Sequence, residues 1–147
     1  MARPMSATRG GPSQEGWGAR ESGTTSYFAE RLRHEMSAVA LRHHVDQADA
    51  DFLLVDVRSP ADYREGHILG AVNLELPLLV QSLQDEYPGE RTLVVYSHDD
   101  GCLLSTEAAA ALAEEGYRVR LLRGGFSYWK AQGHPVETGD PFDVDDY

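Results

Sequence analysis

The stretch DFLLVDVRSPADYREGHILGAVNLEL, Asp51 to Leu76, decides how this chain folds. Phe52 to Val55 is a short, unbroken apolar run between charged neighbours. Such a run suits a strand buried on both faces of a parallel sheet. Asp56, Val57 and Arg58 make a charged turn, and a short helix carrying Asp62 and Tyr63 follows. Gly66 and His67 form a corner, and a second strand closes at Asn73.

Toward the C-terminus, Pro77 opens a helix at its first turn, where a missing N–H costs nothing. That helix runs through Leu78, Leu79, Val80 and Leu83 to about Glu86, and Tyr87, Pro88 and Gly89 turn the chain out of it. Thr92 to Tyr96 (TLVVY) is β-branched and uninterrupted, and reads as a central strand. The loop SHDDGCLL, Ser97 to Leu104, leads into an alanine-rich helix from Thr106 to Glu115, ended by Gly116. Its alanines let it lie close to the sheet. Val119 to Leu122 is a fourth strand. Gly124 and Gly125 make a tight turn, and Phe126 to Gln132 is a last short helix with Trp129 and Phe126 toward the core.

Toward the N-terminus, Ser37 caps a helix from Ala38 to about Val45, with Val39, Leu41 and Val45 as its buried side. Another helix runs from Thr25 to His34, capped by Thr24 or Thr25, with Tyr27, Phe28 and Leu32 on one side. Residues 1–23 are rich in Gly, Ser, Arg and Pro and show no period, the pattern of a disordered or loosely attached tail. Trp17 either pins that tail or has no role. Residues 139–147, GDPFDVDDY, form an acidic tail, solvated or in contact with a partner. The domain is therefore expected over 24–138.

Strands and helices alternate with short links, which indicates an α/β fold with a mostly parallel sheet and helices on both faces. In such sheets the working site lies beyond the carboxyl ends of the strands. That directs attention to Asp56–Arg58 and to Ser97–Leu104.

The 147 residues suffice for one domain, and 24 acidic against 13 basic residues give a formal charge of -11. Long-range attraction to nucleic acid or to an anionic membrane is excluded by that balance. Anionic substrates also meet a handicap unless a local pocket inverts the field. The one cysteine excludes a disulfide framework and a multi-thiolate metal cluster. No apolar run approaches the roughly 18 residues of a membrane span. The N-terminus lacks the apolar core of a secretion signal, so a cytoplasmic protein is expected. His34, His43 and His44 read as solvated side chains, and contiguous His98, Asp99 and Asp100 cannot readily close a tetrahedral site. No metal or cofactor is expected.

From Ser37 to Val136 the chain resembles the rhodanese-like (sulfurtransferase) domain family. The resemblance rests on four signals in order. They are VDVRS-x-x-D-Y-x-x-GHI-x-GA-x-N from Val55 to Asn73, the strand TLVVY, the alanine-rich helix ending in Gly116-Tyr117, and LLRGGFSYWKAQGHPV from Leu121 to Val136. Asp62 stands where many members have glutamate. The resemblance implies five mostly parallel strands flanked by helices. It also implies a cysteine directly after the LVVY strand that attacks a sulfane sulfur donor such as thiosulfate. That cysteine holds a persulfide and passes it to a thiol or cyanide.

Here the expected position holds Ser97, and the loop is about two residues longer than the commonest form, which also contains an arginine. The loop also looks like a branch with a second cysteine five residues after the first, ahead of Ser-Thr. In that comparison Ser97 matches the first cysteine, Cys102 the second, and Ser105-Thr106 the pair. Cell-cycle phosphatases of this fold need a cysteine, five residues, then arginine. The Ser97–Ser105 loop contains no arginine, so that reading fails.

A serine hydroxyl cannot carry sulfane sulfur as a thiol does, which makes Cys102 the remaining candidate. Amide donors at the following helix lower a thiol from its ordinary pKa of about 8.5. Asp99 and Asp100 act the other way and repel thiosulfate, while His98 offsets them when protonated or serves as a base. The competing reading makes Cys102 a semi-buried loop residue, with Leu103 and Leu104 tucked against the core. Gly101 and Ser105 complete the candidate loop contacts, and Arg123 is the nearest cation for an anionic donor. Asp56, Arg58 (paired with a carboxylate such as Asp62) and His67 (bracing the Gly66–Gly70 turn) read as supporting frame. Two functions stand: a sulfurtransferase acting on a small sulfur donor and a thiol acceptor, or a silent module whose acidic surface meets a basic protein.

Overall fold

The computed structural model describes residues 21–140. The expectations for Trp17, for most of the N-terminal tail and for residues 141–147 lie outside that range. Helix α1 (Glu21–His34) belongs largely to a separate unit ending at Arg33. It starts at Glu21 rather than near Thr25, and Tyr27, Phe28 and Leu32 are exposed. Tyr27 and Phe28 meet edge to face at 5.0 Å, and Arg31 lies 5.9 Å from the Tyr27 ring.

The unit from His34 onward contains β1 (Glu35–Met36), α2 (Ala38–Asp46), β2 (Phe52–Asp56), α3 (Pro60–Glu65), β3 (His67–Ile68) and β4 (Val72–Asn73). A single turn of 3-10 helix, Leu76–Leu78, leads to α4 (Leu79–Glu86) and β5 (Thr92–Tyr96). Then come α5 (Leu104–Glu114), β6 (Arg118–Leu122), α6 (Gly125–Ala131) and β7 (Val136–Glu137). The main sheet has five strands in the order β1-β6-β5-β2-β4, and every neighbouring pair is parallel.

Alternation along β2 and β5 shows how both faces are buried. Leu54, Val94 and Tyr96 join Met36, Leu41, Tyr63 and Trp129 in one cluster. Leu53, Val55, Leu93 and Val95 join Leu79, Leu83, Ala108 and Leu112 in the other. Side chains on a strand point alternately to opposite faces, so α2 and α6 cover one face while α4 and α5 cover the other.

Four local expectations need correction. The strand expected to close at Asn73 is divided: β3 pairs antiparallel with β7, and only β4 joins the main sheet. Gly70, at φ +87, and the Ala71 N–H bonded to Ile68 O turn the chain between them. Val39 is 74% exposed, because Ala38, Leu41 and Val45 share the inward helical side and Val39 does not. Pro77 sits in the 3-10 turn, and the α-helix starts two residues after it. Finally, α5 begins at Leu104 rather than Thr106, which draws Ser105 into its buried side. The Ser37 cap is present, its Oγ accepting the Ala40 N–H at 3.1 Å.

Among the described residues no helix is long and apolar enough to cross a membrane.

Candidate functional site

The carboxyl ends of β2 and β5 lie side by side, with Asp56 in register with Tyr96. After β2 the chain folds back on its own charge. Asp56 is fully buried, and its Oδ1 accepts the Arg58 backbone N–H at 2.9 Å and Nε–H at 3.0 Å. Its Oδ2 accepts from the Arg58 terminal nitrogen at 2.8 Å. The carboxylate that pairs with Arg58 is therefore Asp56, not Asp62, because a two-residue turn brings the closer group round. The same guanidinium donates to Gly66 O at 2.5 Å and lies 4.4 Å from the Phe126 ring centre. Burial pulls the Arg58 pKa down, but the hydrogen bonds and charge of Asp56 outweigh it and leave it raised.

Around this pair, Asn73 Nδ2 donates to the carbonyls of Asp56 (3.0 Å) and Arg58 (2.9 Å). Tyr63 donates to Ala71 O at 2.6 Å. His67 is 1% exposed and stacks on the Tyr63 ring at 3.6 Å. Its Nδ1 lies 2.7 Å from Tyr63 O; a carbonyl only accepts, so Nδ1 carries the proton. Its Nε2 stands 3.2 Å from Glu137 Oε2, which also accepts the Gly70 N–H. The Tyr96 hydroxyl accepts the Ile68 N–H at 3.0 Å. Burial, and then the Asp56 charge, push the Tyr96 phenol well above its ordinary range. These residues hold the Gly66–Gly70 turn against the end of β5.

The second loop, Ser97 to Leu103, is held by α6 and by its own aspartates. Ser97 O and His98 O accept the Phe126 and Ser127 N–H groups, each at 2.9 Å. This close seat requires glycine at 125, where φ is +62 and a Cβ would lie 2.8 Å from Asp99 Cα. Ser97 is 1% exposed, and its Oγ is buried without a hydrogen-bond partner among the described residues. Asp99 Oδ1 accepts the Gly101 N–H at 2.9 Å, and Asp99 O accepts the Cys102 N–H at 3.2 Å. Asp100 Oδ1 accepts the Gly124 N–H at 2.7 Å. His98 Nε2 lies 3.3 Å from Asp62 Oδ2.

The structure places the remaining candidates as follows. Cys102 is partly exposed, two residues ahead of α5. Leu103 is 67% exposed and does not tuck into the core, because it is the cap residue outside the first turn of α5. Leu104 packs against the α4–α5 face, and Ser105 is buried. Arg123 is no free cation at the mouth: it bonds Glu35 Oε1 at 3.0 Å and lies 3.5 Å from Asp100 Oδ2. The participation of Glu35 has no signal in the sequence, since it sits 88 positions from Arg123. The Asn73 bridge lay inside the quoted motif and could have been read there.

The chemical capacity is asymmetric within one loop. Its inner end offers a sealed hydroxyl, and its outer end offers the thiol of a partly exposed residue before a helix whose leading N–H groups have no intrahelical partner.

Residues 37–132 match the model of the rhodanese-like domain. The chain is 40% identical over 88 residues to a sulfurtransferase of Allochromatium vinosum, covering 58% of this chain and 78% of that one. It is 35% identical over 88 residues to an HTH-type transcriptional regulator of Mycobacterium tuberculosis. There it covers 60% of this chain but only 38% of the regulator. The solution structure of a rhodanese-like domain from Anabaena sp. superposes with a TM-score of 0.64 at 30% identity, covering 77% of this chain and 88% of that domain. With the sheet order, the two covered faces and the loop after β5, these matches lead to one conclusion: the chain belongs to the rhodanese-like domain family.

Proposed function

We propose that this chain is a sulfurtransferase-class domain whose sulfur carrier is Cys102 rather than the residue directly after β5. The observation behind this reading is the contrast between a sealed Ser97, 1% exposed, and a partly exposed Cys102. A hydroxyl forms no stable persulfide, and Cys102 is the one cysteine in the sequence. In the donor step the Cys102 thiolate attacks a sulfane sulfur. An S–S bond forms to Cys102 as the donor's own bond to that sulfur breaks, and the electron pair leaves with the departing group (sulfite, when the donor is thiosulfate). In the second step an acceptor thiolate attacks the outer sulfur, takes it as its own persulfide, and frees the Cys102 thiolate. His98, whose Nε2 lies 3.3 Å from Asp62 Oδ2, is the base that the loop itself offers. A lone thiol in this role suits a reducing, cytoplasmic setting.

The test is intact mass after incubation with thiosulfate and with polysulfide. The wild-type chain should gain the mass of one sulfur atom, and Cys102→Ser should not. No adduct from any donor would overturn the reading.

A second reading is favoured by the engagement of Arg123 with Glu35 and Asp100. On it the domain is silent and its net charge of -11 meets a basic protein. Salt-sensitive binding of a basic partner, with no sulfur adduct, would favour it.

A further inference from the structure

One cavity of the domain lies away from the loop after β5. It opens between the end of α2, the start of β2 and the Leu69–Gly70 corner, with a volume of about 460 Å³. We infer that this cleft binds a small organic cation, an ammonium group carried on an apolar or aromatic body.

Its size and walls suit a small molecule. Pockets for such ligands span roughly 300–1,000 Å³ and are mostly apolar, with a few polar groups that fix orientation. Val45, Phe52, Leu54 and Leu69 supply apolar wall here, and Leu69 is 42% exposed rather than packed away. The ring centres of Phe52 and His44 lie 4.1 Å apart, so two flat side chains stand together on one side. Ala48 also lines the cleft, from a backbone at φ +50, the left-handed region that glycine adopts freely and alanine does not. Strain of this kind persists only where its surroundings enforce it, and it gathers at ligand sites.

The charge of the ligand follows from the polar groups. Asp49, in the turn after α2, and Glu137, on β7, both line the cleft, and among the described residues no lysine or arginine does. The hydrogen bond from the Asp51 N–H, at 2.9 Å, holds the Asp49 carboxyl below its ordinary pKa, so it stays ionised. Glu137 Oε2 accepts the Gly70 N–H at 3.0 Å, while its Oε1 has no hydrogen-bond partner among the described residues. Each carboxylate has one imidazole beside it, His44 at 3.0 Å from Asp49 and His67 at 3.2 Å from Glu137. Helix α2 ends at Asp46, and the negative end of its dipole adds to the attraction for a cation. An anion would meet two carboxylates and a helix C-terminus, with no guanidinium or ammonium to hold it. A neutral ligand would forgo the charge-assisted hydrogen bonds that both carboxylates offer. None of Ser97–Leu104 lines this cleft, so the inference stands or falls separately from sulfur transfer at Cys102.

Three probes of one shape test it: phenethylammonium, phenethyl alcohol and hydrocinnamate. Each is titrated into the full chain at about pH 8, where an ordinary imidazole is neutral, and amide chemical shifts are followed. Phenethylammonium should move the amides of His44 to Phe52, Leu69, Gly70 and Glu137. It should bind at least about tenfold more tightly than either other probe. That preference should shrink as salt shortens the screening length from about 30 Å at 0.01 M to about 8 Å at 0.15 M. Asp49→Asn and Glu137→Gln keep an acceptor oxygen, and each should weaken the ammonium probe about threefold while sparing the alcohol. Equal affinities for the three probes, tighter binding of hydrocinnamate, or shifts confined to other parts of the chain would overturn the inference. So would the absence of shifts with every probe. The comparison of probes on the wild-type chain stands even if a variant folds poorly.

Discussion

After β2 the chain turns on an ion pair sunk in the interior, with Asp56 fully buried and Arg58 4% exposed. After β5 it turns on aspartates at the surface, with a neutral, unpartnered hydroxyl beneath them. The two turns are adjacent in space and share Phe126: its ring lies against Arg58 and its N–H on Ser97 O. The first is tightly determined, because removing either partner strands a charge away from water. The second is held by replaceable groups that solvent can also reach. In this domain the frame and the adaptable site differ chiefly in where their charges sit.

The largest expected effect tests the rigid side. Arg58→Ala should cost about 3–5 kcal/mol, because Asp56 is left buried and unpaired. Urea unfolding measures it, and a loss below about 1 kcal/mol would show the first turn to be as adaptable as the second. Gly125→Ala probes the seam between the turns. The left-handed backbone alone costs about 1–2 kcal/mol. With a Cβ at 2.8 Å from the Asp99 backbone, the loss should reach about 2 kcal/mol or more unless the second loop gives way. The same denaturation series, with amide shifts of His98 to Cys102, separates those two responses.

A pH titration sharpens the contrast from another side. The folded-state pKa of Tyr96 is raised, so the unfolded chain releases this proton first. Its contribution is complete below about pH 10 and is lost as pH rises above that value, at about 1.4 kcal/mol per pH unit. Melting temperatures from pH 8 to 11 should therefore fall on the alkaline side, and Tyr96→Phe should flatten that limb. The smallest effect has the opposite sign. Ser97→Ala removes a buried, unpartnered hydroxyl and should stabilise the domain by about 1 kcal/mol. A clear destabilisation would show that Ser97 holds a bond that the frame depends on.

The sheet was legible because its signals are local. Phe52–Val55 and TLVVY are continuous apolar runs, and the Gly66–Asn73 motif carries its own turn. What escaped were contacts set by distance in sequence. The strand at Glu35–Met36 has two residues and pairs with Leu121 and Leu122, which no local pattern announces. The Arg123–Glu35 pair escaped for the same reason. Within the site, Ser97 and Cys102 could be placed by counting from β5. The helix start could not, because Leu103 lacks the side-chain oxygen that usually marks a cap, so the boundary slipped from Leu104 to Thr106. The Arg58–Asp56 pair has no periodic signal, because the two residues lie either side of a tight turn that only the folded chain closes.

The short ribbon of β3 and β7 bears on how the molecule is made. Trp129 Nε1 and the Leu69 N–H both end on Pro135 O, Glu137 takes the Gly70 N–H, and the Gly139 N–H reaches Arg64 O. Residues 135–139 therefore hold a motif that leaves the ribosome some seventy positions earlier. During synthesis the Asp56–Asn73 segment must wait, its corner unfastened, until this late stretch emerges. Such long-range closure slows folding and leaves the waiting segment open to wrong partners.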